Sequence, residues 1–331
     1  MKPIIAITAG DTNGIGYEVI IKSLLEAHMF ELFKPVIYGN AQVAKQHIQT
    51  FEEAYRNIQW NHIDHPRQAK DGRLNMITCY PDTTPVQLGV ATKESGKAAL
   101  SALERACKDL QEGAVLRFSD NPKHYPIVNT SWEGTYLYNY SPFIYAYDAT
   151  NIAIIGKGCI DGNAASTFST WKEKQRADLL ESRRMNHEEI AVENRVFGAG
   201  HLLRPQLIQF YKCQQITIEG VKIINAPFWC IHLLQSENII CRSLRYDAKL
   251  VNNDGIDPES SRDILIEDVH FNNGDDNIAI KSGRDNDGRN TAIPSENIVI
   301  RRCHFKGLHA VVIGSEMSGG VRNVFVEDCD Y

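Results

Sequence analysis

The chain has 331 residues, 43% of them hydrophobic and 23% charged, and a net charge of −6. That length admits two domains, and the balance is that of an ordinary globular protein. The negative charge argues against nucleic acid, although a polyanionic sugar stays open because a local basic patch suffices to meet one.

No apolar run approaches the roughly 18 residues of a membrane span. The opening Met1-Lys2-Pro3-Ile4-Ile5-Ala6-Ile7-Thr8 is too short and too quickly polar for a secretory leader. As written, the chain is expected in the cytoplasm. Ile4 to Thr8 reads as a strand that runs into the glycine-rich Gly10-Asp11-Thr12-Asn13-Gly14-Ile15-Gly16. A helix with Val19, Ile20, Ser23 and Leu24 on one face follows. Pro35 to Gly39 reads as a second strand and Gln42 to Arg56 as a second helix. Lys93 to Glu112 places Leu100, Leu103, Cys107 and Leu110 on one stripe, with Gly113 as a helix stop. Alternating strands and helices imply a parallel sheet.

The glycine loop fits neither the dinucleotide fingerprint nor the phosphate loop, and its residues alone suit either a tight turn or an anion cradle. The stretch Lys2 to Glu18, with Gly89-Val90 and Ser95-Gly96-Lys97-Ala98-Ala99, resembles the start of 4-hydroxythreonine-4-phosphate dehydrogenase of pyridoxal phosphate synthesis. The likeness covers about the first third of such an enzyme. That family binds a divalent metal through histidines of later segments, and His28, His47, His62 and His65 do not sit in its metal motifs. The resemblance thus implies an α/β fragment over 1–113 that does not dehydrogenate by itself.

From Ala114 onward the period changes. Apolar or semi-apolar residues recur at offsets 0, +2, +5 and +7, starting at Ile216, Ile239, Ile264, Ile298 and Val324. Short β runs repeating every 20–50 residues mark stacked coils, and the slip between +2 and +5 is a corner between two strands of one coil. The expected fold of 114–331 is therefore an all-β, right-handed parallel β-helix. Asn151 to Gly162 reads as an outlying coil, and Lys172 to Asn194, charged and without the repeat, as a surface excursion. Of the eight cysteines none forms a CxxC pair, which excludes a structural zinc site. Cys241, Cys303 and Cys329 fall on inward repeat positions as reduced core thiols.

Three acids stand out: Asp254, Asp275 and Asp276. Asp275 and His309 both lie at offset +11 of successive copies, which predicts that they stack on one wall. Clustered carboxylates raise the pKa of one member, and an acid beside an ionised base is what glycoside hydrolysis needs. Calcium binding or solvated turn aspartates are the alternative reading of these residues. Asn253-Asp254-Gly255, Gly274-Asp275-Asp276 and Gly307-Leu308-His309 resemble the three signatures of glycoside hydrolase family 28, the polygalacturonases. Supporting stretches include Tyr140-Ser141-Pro142, Gly156-Lys157-Gly158, Ile278 to Gly283 and Gly314 to Gly320.

The resemblance implies an inverting hydrolase of pectic, galacturonate-containing polysaccharide, with no cofactor and no metal. Asp275 would protonate the leaving oxygen, Asp254 and Asp276 would hold and deprotonate the attacking water, and His309 would tune the acid or hold substrate. Lys281, Asn252 and Asn253 would bind substrate, Lys281 at a galacturonate carboxylate. The GHG histidine falls one residue late here, and a one-residue slip in a strand flips the side chain's face. The chain stops inside a coil without the family's later Arg-x-Lys signature, which implies a weakened grip on substrate and an exposed strand edge that lowers solubility. An oxidoreductase of cofactor synthesis and a non-catalytic polysaccharide-binding β-helix are the other functions the two halves admit. Polygalacturonases act outside the cytoplasm and the first family inside it, so the join at 113/114 reads as a recombination or an assembly artefact.

Overall fold

The computed structural model describes residues 2, 4–24, 29–49, 58–109 and 115–331. It divides into two compact units, residues 1–117 with 155–159, and residues 118–154 with 160–331. The expected join at 113/114 lies outside the described residues.

In the first unit, strands β1 (Ile4–Thr8), β2 (Lys34–Gly39), β3 (Trp60–His62), β4 (Leu74–Thr78) and β5 (Val115–Arg117) form a parallel sheet in the order β5-β1-β2-β4-β3. Helices α1 (Gly16–Leu24), α2 (Met29–Leu32), α3 (Ala41–Ile48) and α4 (Lys93–Asp109) connect or flank it. The expected strand–loop–helix start is present, but α1 buries Tyr17, Ile20, Ile21 and Leu24, so Ser23 lies off the apolar face. The larger correction is in α4. Its buried stripe is Ala98, Ala102, Ala106 and the expected Cys107, while Leu100 is exposed. Alanines let the helix axis approach the sheet more closely than leucines would. The expected second helix is observed to Ile48, and positions 50–56 of it lie outside the described residues, as do His28, Leu110 and Gly113.

The second unit is a parallel β-helix of three walls. The first wall is β8 (Ile144–Tyr147), β11 (Ile208–Tyr211), β14 (Ile231–Leu234), β17 (Ile256–Glu259), β19 (Ile278–Ile280) and β21 (Val311–Ile313), each paired in parallel with the next. The second is β9 (Thr150–Ile155), β12 (Gln214–Glu219), β15 (Glu237–Arg242), β18 (Arg262–Glu267), β20 (Ser295–Arg301) and β22 (Val321–Glu327). The third comprises β10 (Cys159–Asp161), β13 (Lys222–Ile224) and β16 (Arg245–Asp247), continued by single bridges at His270, His304 and Asp330.

The repeat positions stack as the sequence spacing requires. Ile216, Ile239, Ile264, Ile298 and Val324 are mutual partners along the second wall. The third wall's interior is capped by a stack of Tyr246, Phe271 and Phe305. Gly255 is needed at that crowded place, because a Cβ there would lie 2.4 Å from the Asn277 carbonyl oxygen and 2.7 Å from the Phe271 ring. All eight cysteines are free; Cys241 and Cys303 are buried and Cys329 is half-buried.

A hairpin of β6 (Ile127–Trp132) and β7 (Thr135–Tyr140) packs on the first wall together with α5 (Arg176–His187) and α6 (Asp285–Thr291). Helix α5 is the excursion expected at 172–194. Among the described residues no helix is long and apolar enough to cross a membrane.

Candidate active site

The site forms where the turns preceding β17, β19 and β21 stack. Ile256 pairs with Ile278, and Ile278 with Val311. Counting back two residues from each puts Asp254, Asp276 and His309 at one level of three successive rungs, roughly 4.8 Å apart per rung. Backbone bonds from Gly255 N to Asp276 O and from Asn277 N to His309 O carry that alignment into the turns. His309 therefore stacks on Asp276 and not on Asp275, one residue from the equal-offset expectation. Its Nδ1 lies 2.7 Å from Asp276 Oδ1, with the ring exposed. The late histidine still reaches the acids because the turn, not the strand, sets its direction.

Asp254 is 5% exposed. Burial pushes its carboxyl well above the ordinary range, the positive charge of Lys281 opposes this, and Asp275 and Asp276 add to it by repulsion. Asp257 is fully buried beside it and is pushed up by burial and by Asp254. Their carboxyls lie within hydrogen-bonding reach of each other, although neither Asp257 oxygen meets a standing donor. The two observations agree if one of the pair carries a proton, since two carboxylates have nothing to donate. The pair therefore holds a proton at pH values where lone carboxyls are ionised.

Asp275 is held differently. Its Oδ1 accepts from the Asp276 backbone N–H at 3.1 Å and its Oδ2 from Asn252 Nδ2 at 3.1 Å. Asn252 is in the left-handed region, φ 56°, at the tip of the turn.

Two residues expected to bind substrate are engaged within the protein. Asn253 is fully buried and donates to the carbonyls of Ala226 and Phe228, so it ties the turn to the neighbouring coil. Lys281 is 4% exposed; its Nζ donates to Gly314 O at 3.1 Å and lies 3.3 Å from Glu316 and 3.8 Å from Asp257, over the Trp229 ring. Burial works against its charged form, but Asp257, Glu316 and Asp254 outweigh burial and hold its pKa above the ordinary lysine value. Glu316 answers in kind: burial would raise it, and Lys281 with Arg284 brings it below the ordinary range. Lys281 and Glu316 are thus tied into one buried charge network with Asp257 and Arg284.

Asp257, Glu316 and Arg204 were not singled out from sequence. Asp257 carried a readable signal, because strand alternation in Ile256-Asp257-Pro258-Glu259 puts two acids on the face opposite Ile256. Glu259 is fully buried too, bonded to His232 Nε2 at 2.8 Å and to Ser131 Oγ at 3.2 Å. Among the described residues, no three His, Cys, Asp or Glu side chains are disposed to hold a metal ion.

The arrangement offers one carboxyl fixed by neutral donors, a raised acid pair, and an exposed imidazole on the third acid. A family model described as "Glycosyl hydrolases family 28" matches residues 84–331, and one described as "Pyridoxal phosphate biosynthetic protein PdxA" matches residues 31–132, the two overlapping over 84–132. Among solved structures, a hyperthermoactive exopolygalacturonase from Thermotoga maritima is 45% identical, with a TM-score of 0.64 over 66% of this chain and 52% of that one. An endo-polygalacturonase of Pectobacterium carotovorum is 29% identical over 66% of this chain and 50% of its own length. A 4-hydroxythreonine-4-phosphate dehydrogenase of Bacteroides thetaiotaomicron is 38% identical over 34% of this chain and 30% of its own length. The chain spans about half, or less, of the length of these relatives.

Proposed function

The chain belongs to the glycosyl hydrolases of family 28, and from that premise we propose that its β-helix hydrolyses galacturonate-containing polysaccharide. Asp275 gives its proton to the glycosidic oxygen as the bond to the anomeric carbon breaks, and the bonding pair stays on that oxygen. A water held by Asp254 and Asp276 adds to the anomeric carbon from the opposite face and loses its proton to them, which inverts the configuration. His309, bonded to Asp276, keeps that carboxylate oriented toward the water. The observation that carries this reading is the single level shared by Asp254, Asp276 and His309. Within the same reading, residues 1–113 are a partial α/β segment and 114–331 the hydrolase segment.

The hairpin favours attack at chain ends. Its tip, Glu133–Gly134, closes on α6: Arg284 N donates to Gly134 O at 2.9 Å, and Arg284 pairs with both Glu133 and Glu316. Gly134, at φ 77°, permits this approach, because a Cβ there would lie 2.6 Å from the Arg284 nitrogen. The Trp132 indole of the same hairpin donates to Arg204 O at 2.9 Å, and Arg204 bonds to Asn252 beside Asp275, so the hairpin lies next to the acids, where it would admit a terminal sugar and stop a through-running chain.

The test is release of reducing ends from polygalacturonate, with products sized and the new anomer read by proton NMR. Monogalacturonate as the first product, appearing as the inverted anomer, is the expected result. A ladder of oligomers would replace chain-end action by internal cleavage. Binding without turnover by the folded protein would favour a non-catalytic polysaccharide-binding role.

A further inference from the structure

Arg204 is fully buried, and each of its three side-chain nitrogens donates a hydrogen bond. Its Nε donates to Gln175 Oε1 at 3.0 Å, one terminal nitrogen to Val251 O at 2.9 Å and Pro227 O at 3.4 Å, and the other to Asn252 Oδ1 at 2.7 Å. The guanidinium lies 4.9 Å from the centre of the Phe228 ring. Burial pushes its pKa down to about 10, so it stays charged at neutral pH.

A guanidinium has donors and no acceptor, whereas a carboxamide has one end of each kind. Asn252 must therefore turn its oxygen to Arg204. Its amino group is then the only end left for Asp275 Oδ2, the atom it meets at 3.1 Å. The reversed amide would present an oxygen to Asp275, accept the acid's proton, and compete with the glycosidic oxygen for it.

We propose that Arg204 is a positioning residue that locks the Asn252 carboxamide so that it donates to Asp275 and cannot capture the proton bound for the leaving sugar. The role rests on the hydrolase reading for its consequence, but not for its geometry. The charged groups around Asp275 are Asp254 from the neighbouring turn, Asp276 next to it in its own turn and Arg204 behind Asn252, with His309 engaged by Asp276.

The test compares Arg204→Lys, Arg204→Met and Asn252→Gly on two substrates, an oligogalacturonate and a dinitrophenyl galacturonide whose phenolate leaves without protonation. Asn252→Gly deletes the amide yet keeps the left-handed turn, which glycine adopts freely. Each variant is expected to lose about 10²-fold in kcat on the oligosaccharide at nearly constant KM, and under ~5-fold on the aryl substrate, because the loss falls on proton donation. Arg204→Lys, which keeps a cation and a donor, recovers part of the loss. Equal losses on both substrates would overturn the role, since general damage to the site slows both. A second readout needs no turnover. The side-chain amide NMR signals of Asn252, identified by their absence in Asn252→Gly, are expected as a well-separated, slowly exchanging proton pair that collapses in Arg204→Met and partly persists in Arg204→Lys. If wild-type protein cleaves neither substrate, the hydrolase reading falls and the NMR comparison still decides the Arg204 role; unchanged amide signals in Arg204→Met would overturn it.

Discussion

The first and second walls of the β-helix are made of the same rungs, yet they handle charge in opposite ways. Along the second wall, Glu219, Arg242, Glu267, Arg301 and Glu327 are register partners in one column. Glu237, Arg262, Glu296 and Arg322 form another of alternating sign. The arginines of these columns pair in water, although their partner Glu267 is buried: Arg242 Nε reaches Glu219 at 2.9 Å with 44% of its side chain exposed. On the first wall, His232, Asp257, Glu259, Lys281 and Glu316 are almost entirely sequestered. Exposed pairs of the first kind contribute little to stability, whereas buried charges are costly unless fully partnered. The first wall's buried charge holds groups at fixed protonation and direction, and strongly perturbed buried acids of this sort mark functional sites.

The sharpest way to break the contrast is Asp275→Asn. It should lower kcat on polygalacturonate by about 10³-fold or more while the fold survives, because proton donation alone carries up to ~10⁴-fold. Activity that persists in a folded Asp275→Asn protein would remove the acid from Asp275. Next in size is Lys281→Met. It leaves Asp257 uncompensated and Glu316 with Arg284 alone, and breaking one side of a buried pair costs about 3–5 kcal/mol. Urea unfolding measures this; a cost under ~1 kcal/mol would mean the first wall's charges are no more demanding than the second's.

Much of this contrast was present in the residue order. The inward repeat from Ile216 to Val324 needed only periodicity, and it stacks in the register its spacing implies. The surface columns are the same repeat read at offsets +3 and −2, so they too could have been found. The α4 stripe was misread because leucines outrank alanines on any hydrophobic scale, and only the sheet's proximity makes the small side chains the buried ones. The bonding of the acids was less accessible. That His309 meets Asp276 depends on turns whose lengths differ from rung to rung. Lys281 looked like a substrate ligand because sequence does not reveal that Glu316, 35 positions later, closes on it. Arg204 sits 48 residues from Asn252 and no local pattern joins them.

Asp254→Asn sharpens the comparison from the other side, through pH. The folded-state pKa of Asp254 is raised, so its contribution to stability is complete below the ordinary carboxylate range and is lost as pH rises toward the folded value. An asparagine does not titrate. The variant should match wild type near pH 3 and be more stable at neutral pH by at least about 1 kcal/mol, with activity lost. Unfolding curves at the two pH values decide it, and a variant less stable than wild type at neutral pH would show that the Asp254 charge is compensated better than burial and its neighbours suggest.

The smallest expected effect belongs to Arg242→Ala on the second wall. Its partner Glu219 is exposed, so removing the arginine leaves no stranded charge: water takes its place. The cost should be no more than ~0.5 kcal/mol in low salt and should fade in 1 M salt, where the screening length is about 3 Å. A cost near that of Lys281→Met, or one that salt leaves untouched, would mean that the alternating columns act as a cooperative network holding the rungs in register. In that event the division between the walls would lie in exposure alone, and the buried charges of the first wall could no longer be assigned to function on the ground that the fold has no other use for charge.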